Sequence, residues 1–156
     1  QFDVAKFHLV HHTRNKNRDV SAALSIGPHT IVPEPSARYL GIFLDKELRW
    51  HMQVDHAVAR GMATTLAIGR LASGRFGLPH RYIRQLYISV VVPKLEYALP
   101  LWFNPIQEGS DSTRRTGSVG FANRLSKVQR IAARLITGAF KTTATDALEY
   151  HANLIP

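Results

Sequence analysis

From Ser112 to Lys141 the chain carries seven basic residues, Arg114, Arg115, Arg124, Lys127, Arg130, Arg134 and Lys141, and no acidic one. Inside this run, Ser118 to Gly138 has the apolar period of an amphipathic helix. At about 100° per residue, Arg124, Lys127, Arg130 and Arg134 fall in a sector of about 120°. Phe121, Leu125, Val128, Ala132, Leu135 and Ile136 centre roughly 120° away, with Ile131 at the border. Such a helix buries one face only, so the rest of the chain must supply elements to cover it. The cationic side is left to solvent or to a polyanion. An ordinary solvent face mixes signs, because pairs at i±3 and i±4 gain energy and like charges repel. No Asp or Glu stands at those spacings here, which favours the polyanion over the merely solvated face.

The rest of the composition agrees with a folded, basic chain. Leu, Val, Ile and Phe make up 44 of the 156 residues, enough for a core. The formal charge of +9 favours an acidic partner such as nucleic acid or an anionic surface. With no cysteine, disulfides and thiolate chemistry are excluded. The longest stretches free of charged residues, Val20 to Pro33 and Tyr97 to Gln107, run to 14 and 11 residues. Both fall short of the roughly 18 that a spanning helix needs, so no membrane partner is expected. The chain opens on Gln1 and stops inside apolar sequence at Pro156, and is expected to be part of a longer polypeptide.

The first third reads as strands. Phe2 to Val10 and Val20 to Ile26 are apolar-rich, joined by the polar, basic turn Thr13 to Asp19. Gly27-Pro28 between apolar runs signals a hairpin, Pro33-Glu34-Pro35 interrupts pairing, and Ala37 to Leu44 is a further strand. Together they predict a small antiparallel sheet of three or four strands. The remainder reads as helices. Val54, Val58, Met62 and Leu66 recur at i+4 within His51 to about Leu71, although Gly61 and Gly69 weaken a straight helix there. Ser73 to Gly77 is a stop, with Pro79 suited to a first helical position. Pro79 to about Trp102 is read as helix by its length, with a kink at Pro93 and a limit at Pro100, though Ile88 to Val92 would also pass as a buried strand. Asn104 to Gly117 is a polar loop, and Thr145, Asp146 and Glu149 mark the start of a last helix.

Enzymatic chemistry is hard to build from these residues. A two-metal site needs converging carboxylates, and the nearest grouping, Asp45, Glu47 and Asp55, is better explained by a turn and a helix start. His11 and His12 are adjacent on an extended segment, and His51 and His56 are five apart, so neither pair has the spacing of a zinc site. There is no Gly-x-Ser-x-Gly elbow. Gly117-Ser118-Val119-Gly120 beside Arg114 and Arg115 could receive a phosphate at a helix N-terminus, but lacks the Gly-Lys-Ser/Thr ending of a P-loop.

Tyr39-Leu40-Gly41-Ile42-Phe43-Leu44-Asp45, followed by Leu48-Arg49-Trp50 and His51, resembles the primer-grip segment of non-LTR, LINE-like retrotransposon reverse transcriptases, which closes the palm before the thumb. Lys6, ahead of Leu9, His11, Thr13 and Arg14, is similar to the lysine segment that comes after that family's catalytic strand. Leu86-Tyr87, Val92 to Tyr97 and Trp102 resemble its thumb pattern. Gln129, Ile136-Thr137-Gly138, Thr142-Thr143 and Asn153 to Pro156 resemble the stretch beyond the thumb. The likeness spans nearly the whole chain.

The resemblance implies that Tyr39, Leu40, Gly41 and Ile42 sit near the primer end and position its 3′ hydroxyl, a proximity effect rather than chemistry. Lys6 would be a proton donor to leaving pyrophosphate in the parent enzyme, or else a solvent lysine. The paired aspartates that hold Mg in the parent would lie upstream, with the rest of the palm and the fingers. No catalytic residue, metal ligand or cofactor is therefore expected within this chain, which alone should not polymerise. The charge pattern, not the family motif, assigns Arg114, Arg115, Arg124, Lys127, Arg130 and Arg134 to the backbone of RNA, DNA or an RNA/DNA hybrid.

The expected fold is α+β: a small antiparallel sheet followed by a mostly helical, thumb-like bundle. Residues 1–50 form the end of the palm, 51–103 the thumb helices, 104–117 a polar loop, and 118–156 the basic helix and the start of the next region. The expected function is to grip primer and template within a reverse transcriptase, in an intracellular setting that includes the nucleus. A freestanding basic nucleic-acid-binding module and a structural, protein-interacting piece are the alternatives.

Overall fold

The computed structural model describes residues 3, 6–72, 77–108 and 115–155. The chain divides into two compact units, Gln1–Val54 and Asp55–Pro156. Short antiparallel hairpins make up the first and helices dominate the second, so the fold is α+β.

In the first unit, β1 (Leu24–Ile26) pairs with β2 (His29–Ile31) around Gly27-Pro28. Gly27 takes φ +58, and the fixed φ of Pro28 suits the second turn position, the requirements of a two-residue hairpin loop. β3 (Ser36–Tyr39) pairs with β4 (Ile42–Asp45), with Tyr39 opposite Ile42. This corrects the reading of Ala37 to Leu44 as one strand. Leu40 and Gly41 have φ +47 and +83, so they are the two central residues of a tight turn that requires positive φ at both. Gly41 is there for that conformation, which glycine adopts without steric cost.

The two hairpins are separate two-stranded sheets rather than one sheet of three or four strands. Pro33 and Pro35 explain the gap, since neither can donate to a ladder. The described part of Phe2 to Val10 is likewise not a strand. It contributes one parallel bridge, Leu9 to Pro33, and the Leu9 carbonyl accepts the Glu34 N–H at 2.8 Å. Beyond it, single bonds tie down the segment: Thr13 N–H to the Lys46 carbonyl at 2.9 Å and Arg14 Nε to the Glu47 carbonyl at 3.2 Å.

After β4 the chain turns through Leu48 and Trp50, both at left-handed φ (+51 and +65), a conformation that costs L-residues roughly 1–2 kcal/mol each. Asp45 holds this turn. Its carboxylate accepts the N–H groups of Arg49 (2.9 Å) and Trp50 (3.0 Å). Partial burial alone would raise its pKa, but these backbone donors outweigh it and hold the carboxyl below its ordinary value. A depressed folded-state pKa stabilises the fold above the unfolded value and is lost as pH falls through the folded one. Asp45→Asn is thus expected to melt below the wild type at pH 7, with the gap closing once pH drops beneath about 3.9. Thermal melts at pH 7 and pH 3 check this, and an equal gap at both would sink it.

The second unit is a helical bundle. α1 (His51–Leu71), whose first turn belongs to the first unit, runs unbroken through Gly61 and Gly69. Its buried positions are Gln53, Val54, Ala57, Gly61, Thr65 and Ile68, while Val58 and Met62 are half-buried and Leu66 is exposed. Of the expected stripe of Val54, Val58, Met62 and Leu66, Val54 is fully buried, and beyond it the buried face is rotated by about one residue. Close approach is the reason: a Cβ at Gly61 would collide with Leu95 Cδ2, and one at Gly69 would come within 2.9 Å of Leu135 Cδ1.

α2 (His80–Leu86) starts after Pro79, which caps the helix instead of occupying its first turn. It continues as a π-helical turn over Tyr87–Val91 and then as α3 (Val92–Leu95). The Val92 N–H bonds the Tyr87 carbonyl, five residues back. That widened turn absorbs Pro93, whose ring would clash with the carbonyl four residues earlier, so the expected kink becomes a π-bulge. Ala98 at φ +56 then reverses the chain into α4 (Leu99–Trp102), where Trp102 is buried and donates Nε1–H to the Tyr97 carbonyl at 3.0 Å.

The polar loop carries a short pair at its ends, β5 (Gln107–Glu108) with β6 (Arg115–Thr116). α5 (Val119–Thr137) ends at Gly138, which has φ +68 and donates to the Arg134 carbonyl. α6 is Thr145–Ala152. Ile68, Ile83, Val91, Val128, Ile136 and Leu148 form one core from α1, α2, the π-turn, α5 and α6. Tyr87 lies in the same core, and burial, with Glu149 and Glu96 nearby, pushes its hydroxyl up to about 12. Arg84 of α2 closes the C-terminus of α6, donating Nε–H to the carbonyls of Ala152 (3.1 Å) and Asn153 (3.0 Å) and Nη2–H to Asn153 (2.7 Å). A cation at that end also suits the helix dipole. Gln129 Nε2 joins α5 to α6 through Glu149 Oε1 and to the segment after it through the Ile155 carbonyl, both at 2.9 Å.

Candidate nucleic-acid interface

In the first unit, Lys6 and Tyr39 line one open cleft of 380 Å³ together with Phe7, His8, Val10, His12, Ala37, Arg38 and Leu44. The lining holds two permanent cations, two histidines and two aromatic rings and, among the described residues, no carboxylate. Lys6 is highly exposed and only loosely met by Asp3, at 3.5 Å. Arg38 is cross-strand from Phe43 in the β3–β4 ladder, and its guanidinium carbon lies 5.6 Å from that ring's centroid. That contact orients the cation without neutralising it. His8 Nδ1 faces Glu34 at 3.2 Å, and His12 Nδ1 faces the Asp45 carbonyl at 3.3 Å. His11 Nε2 meets the Ala22 carbonyl at 2.8 Å, so the adjacent histidines serve separate backbone partners.

The hairpin tip beside this cleft is unusual. Tyr39 is 65% and Leu40 72% exposed, and Leu40 is a non-glycine residue at left-handed φ. Strained, outward apolar residues of this kind persist where the surrounding structure over-determines them, commonly at contact sites. Ile42, by contrast, is buried and anchors β4. The buried Gln53 accepts the Phe43 N–H through Oε1 at 3.0 Å and fixes the same strand.

In the second unit, α5 buries Val128, Ala132, Ala133 and Ile136, and of its four cations Lys127 is exposed while Arg124, Arg130 and Arg134 are half-buried. These cations have different employments. Arg130 reaches back to the segment before α6, donating to the carbonyls of Lys141 (3.1 Å) and Thr143 (2.8 Å) and to the Thr145 hydroxyl. Arg124 forms an ion pair with Asp55 of α1. Lys127 is exposed, and Arg134 is half-buried with its Nε making no hydrogen bond among the described residues. Arg115 is exposed on β6, with Glu108 as its ladder partner. Arg114 lies outside the described residues. At Gly117 to Gly120, which could receive a phosphate at a helix N-terminus, several backbone donors are already used: the Ser118 carbonyl accepts from Phe121 and Ala122 at 3.0 Å, and Ser118 N–H donates to the Asn104 carbonyl at 3.0 Å.

Sequence patterning passed over Arg38, His8 and His12 in the cleft and Arg84 at the α6 terminus. Arg38 had a signal: a two-residue turn at Leu40-Gly41 puts it opposite Phe43. The others depend on where distant segments return, which no local spacing encodes. Among the described residues no group of three or more His, Asp or Glu converges as metal ligands would, and the Asp45 carboxylate is engaged by two backbone donors. No helix of the described residues is long and apolar enough to cross a membrane. No family model matches the chain, and neither a curated protein nor a solved structure does.

Proposed function

We propose that this chain is the end of the palm and the thumb of a non-LTR retrotransposon reverse transcriptase, and that it grips primer and template by their sugar-phosphate backbones. The observation that carries the reading is the cleft shared by Lys6 and Tyr39, residues far apart in sequence that stand in the two separate motifs of the resemblance. The cations Lys6 and Arg38 of that cleft, whose lining has no carboxylate among the described residues, and the exposed cations Lys127 and Arg115 support a polyanionic ligand. Backbone contacts of this kind carry position rather than sequence. Catalysis would then reside on carboxylates and Mg elsewhere in the parent polypeptide, in an intracellular, nuclear setting.

One observation favours a rival reading, a protein-interacting region with no polymerase parent: Arg124 and Arg130 are already occupied within the chain. Titration of the full chain with a labelled RNA/DNA hybrid separates the two. Binding is expected at low ionic strength, with log K falling linearly in log salt, and Lys6→Gln and Arg38→Gln should each flatten the slope by about 0.9. Absence of binding at low salt, or a slope indifferent to both substitutions, overturns the proposal.

A further inference from the structure

We infer that Asp55 is a built-in competitor for the phosphodiester backbone on the cationic face of α5, a carboxylate that keeps the grip on a strand reversible. This rests on the nucleic-acid reading above.

The chain has a single acidic residue between Leu48 and Leu95, and it is Asp55. That residue stands against Arg124, at the head of the cationic face. A guanidinium recognises a carboxylate and a phosphodiester through the same planar fork of N–H donors, so Asp55 takes up the donors that a phosphate would use. Two features make the exchange easy. The pair is open to water, Asp55 keeping 63% and Arg124 33% of side-chain exposure, and open ion pairs hold weakly. Neither side chain makes another hydrogen bond among the described residues. Arg130 is the contrast, because its three acceptors anchor a chain segment and cannot be traded for a ligand.

The displaced carboxylate stays beside the face and repels the strand that replaced it. Binding is therefore weaker than the cations alone would give. That is the behaviour required of a contact that must let successive phosphates pass, since each uncontested cation adds to affinity at every step. Asp55 sets the strength of the grip, and Arg124 is a cation that the strand must win.

The test is titration of the full chain with a labelled RNA/DNA hybrid across a salt series, for the wild type, Asp55→Asn, Arg124→Gln and the double variant. Asp55→Asn should bind roughly two- to fivefold more tightly at low salt, the range by which open ion pairs differ from none. Its salt slope should steepen by up to about 0.9. Arg124→Gln should bind more weakly than the wild type, and the gain from Asp55→Asn should vanish in the double variant. An unchanged affinity for Asp55→Asn overturns the inference, as does the same gain in both backgrounds, which would be a long-range charge effect. In both cases a salt-dependent wild type leaves the nucleic-acid reading standing. A wild type that fails to bind at low salt removes that reading and this one together.

Discussion

Gly61→Val is expected to destabilise the protein by roughly 1–3 kcal/mol, the usual cost of forcing extra methyl groups into a packed core. The sign runs against helix propensity, which counts glycine in a helix interior as roughly 1 kcal/mol worse than alanine. At Gly61 the packing wins. A Cβ there collides with Leu95 Cδ2 and comes within 3.1 Å of Leu95 Cγ and 3.5 Å of Val128 Cγ1. Leu95 is only 6% exposed and Val128 fully buried, so neither can swing into solvent to make room. The remaining routes are to push α1 away or to force an off-rotamer leucine. Gly61→Ala should fall between valine and the wild type, propensity offsetting part of the collision. Gly120 supplies the control, because a Cβ there meets nothing within 4 Å, and Gly120→Ala should cost nothing. Denaturant unfolding of the three variants checks the ordering, and a Gly61→Val protein as stable as the wild type would show that α1 does not pack closely on Leu95.

The same glycine explains what the sequence could and could not reveal. α5 was legible because its large apolar residues repeat at helical spacing and Gly138 supplies the left-handed stop. α1 was legible in extent but not in orientation. Pattern reading weights Val54, Val58, Met62 and Leu66; Val54 is indeed buried, but further along close packing buries the small residues Ala57, Gly61 and Thr65 and leaves Leu66 in solvent. In the first unit, strand propensity in the described part of Phe2 to Val10 meets missing donors at Pro33 and Pro35, and Leu9 there makes a single bridge and one bond instead of a ladder. Leu40 hid the β3–β4 turn, since leucine is not a residue that positive φ ordinarily selects. Of the candidate interface, the cations were visible as residue types and their employments were not. Whether a guanidinium faces water, Asp55 or a row of carbonyls depends on which distant segment comes back to it.

Arg130 and Lys127 turn that distinction into an experiment. They share one face of α5, and charge pattern alone makes them equivalent. Arg130→Ala removes a cation whose donors satisfy two carbonyls and a hydroxyl between Lys141 and Thr145. Hydrogen bonds to charged groups are worth about 1.5–3 kcal/mol each when well formed. Because solvent can partly replace them at this half-buried site, a total loss of roughly 1–3 kcal/mol is expected. The segment entering α6 should loosen first, seen as faster amide exchange around Thr143 to Leu148. The salt slope of hybrid binding should remain unchanged under conditions where the variant is folded, because its donors are not available to phosphate. Lys127→Ala is the mirror image. Its ammonium is exposed and has no partner among the described residues, so stability should shift by no more than about 0.5 kcal/mol. Its slope should flatten by about 0.9. If the two variants lose slope equally, Arg130 is a backbone-gripping cation after all and its carbonyl contacts yield to the ligand. If neither loses slope, α5 is a structural helix whose charge serves the fold and its solubility, and any nucleic-acid contact must lie on the Lys6 and Arg38 cleft alone.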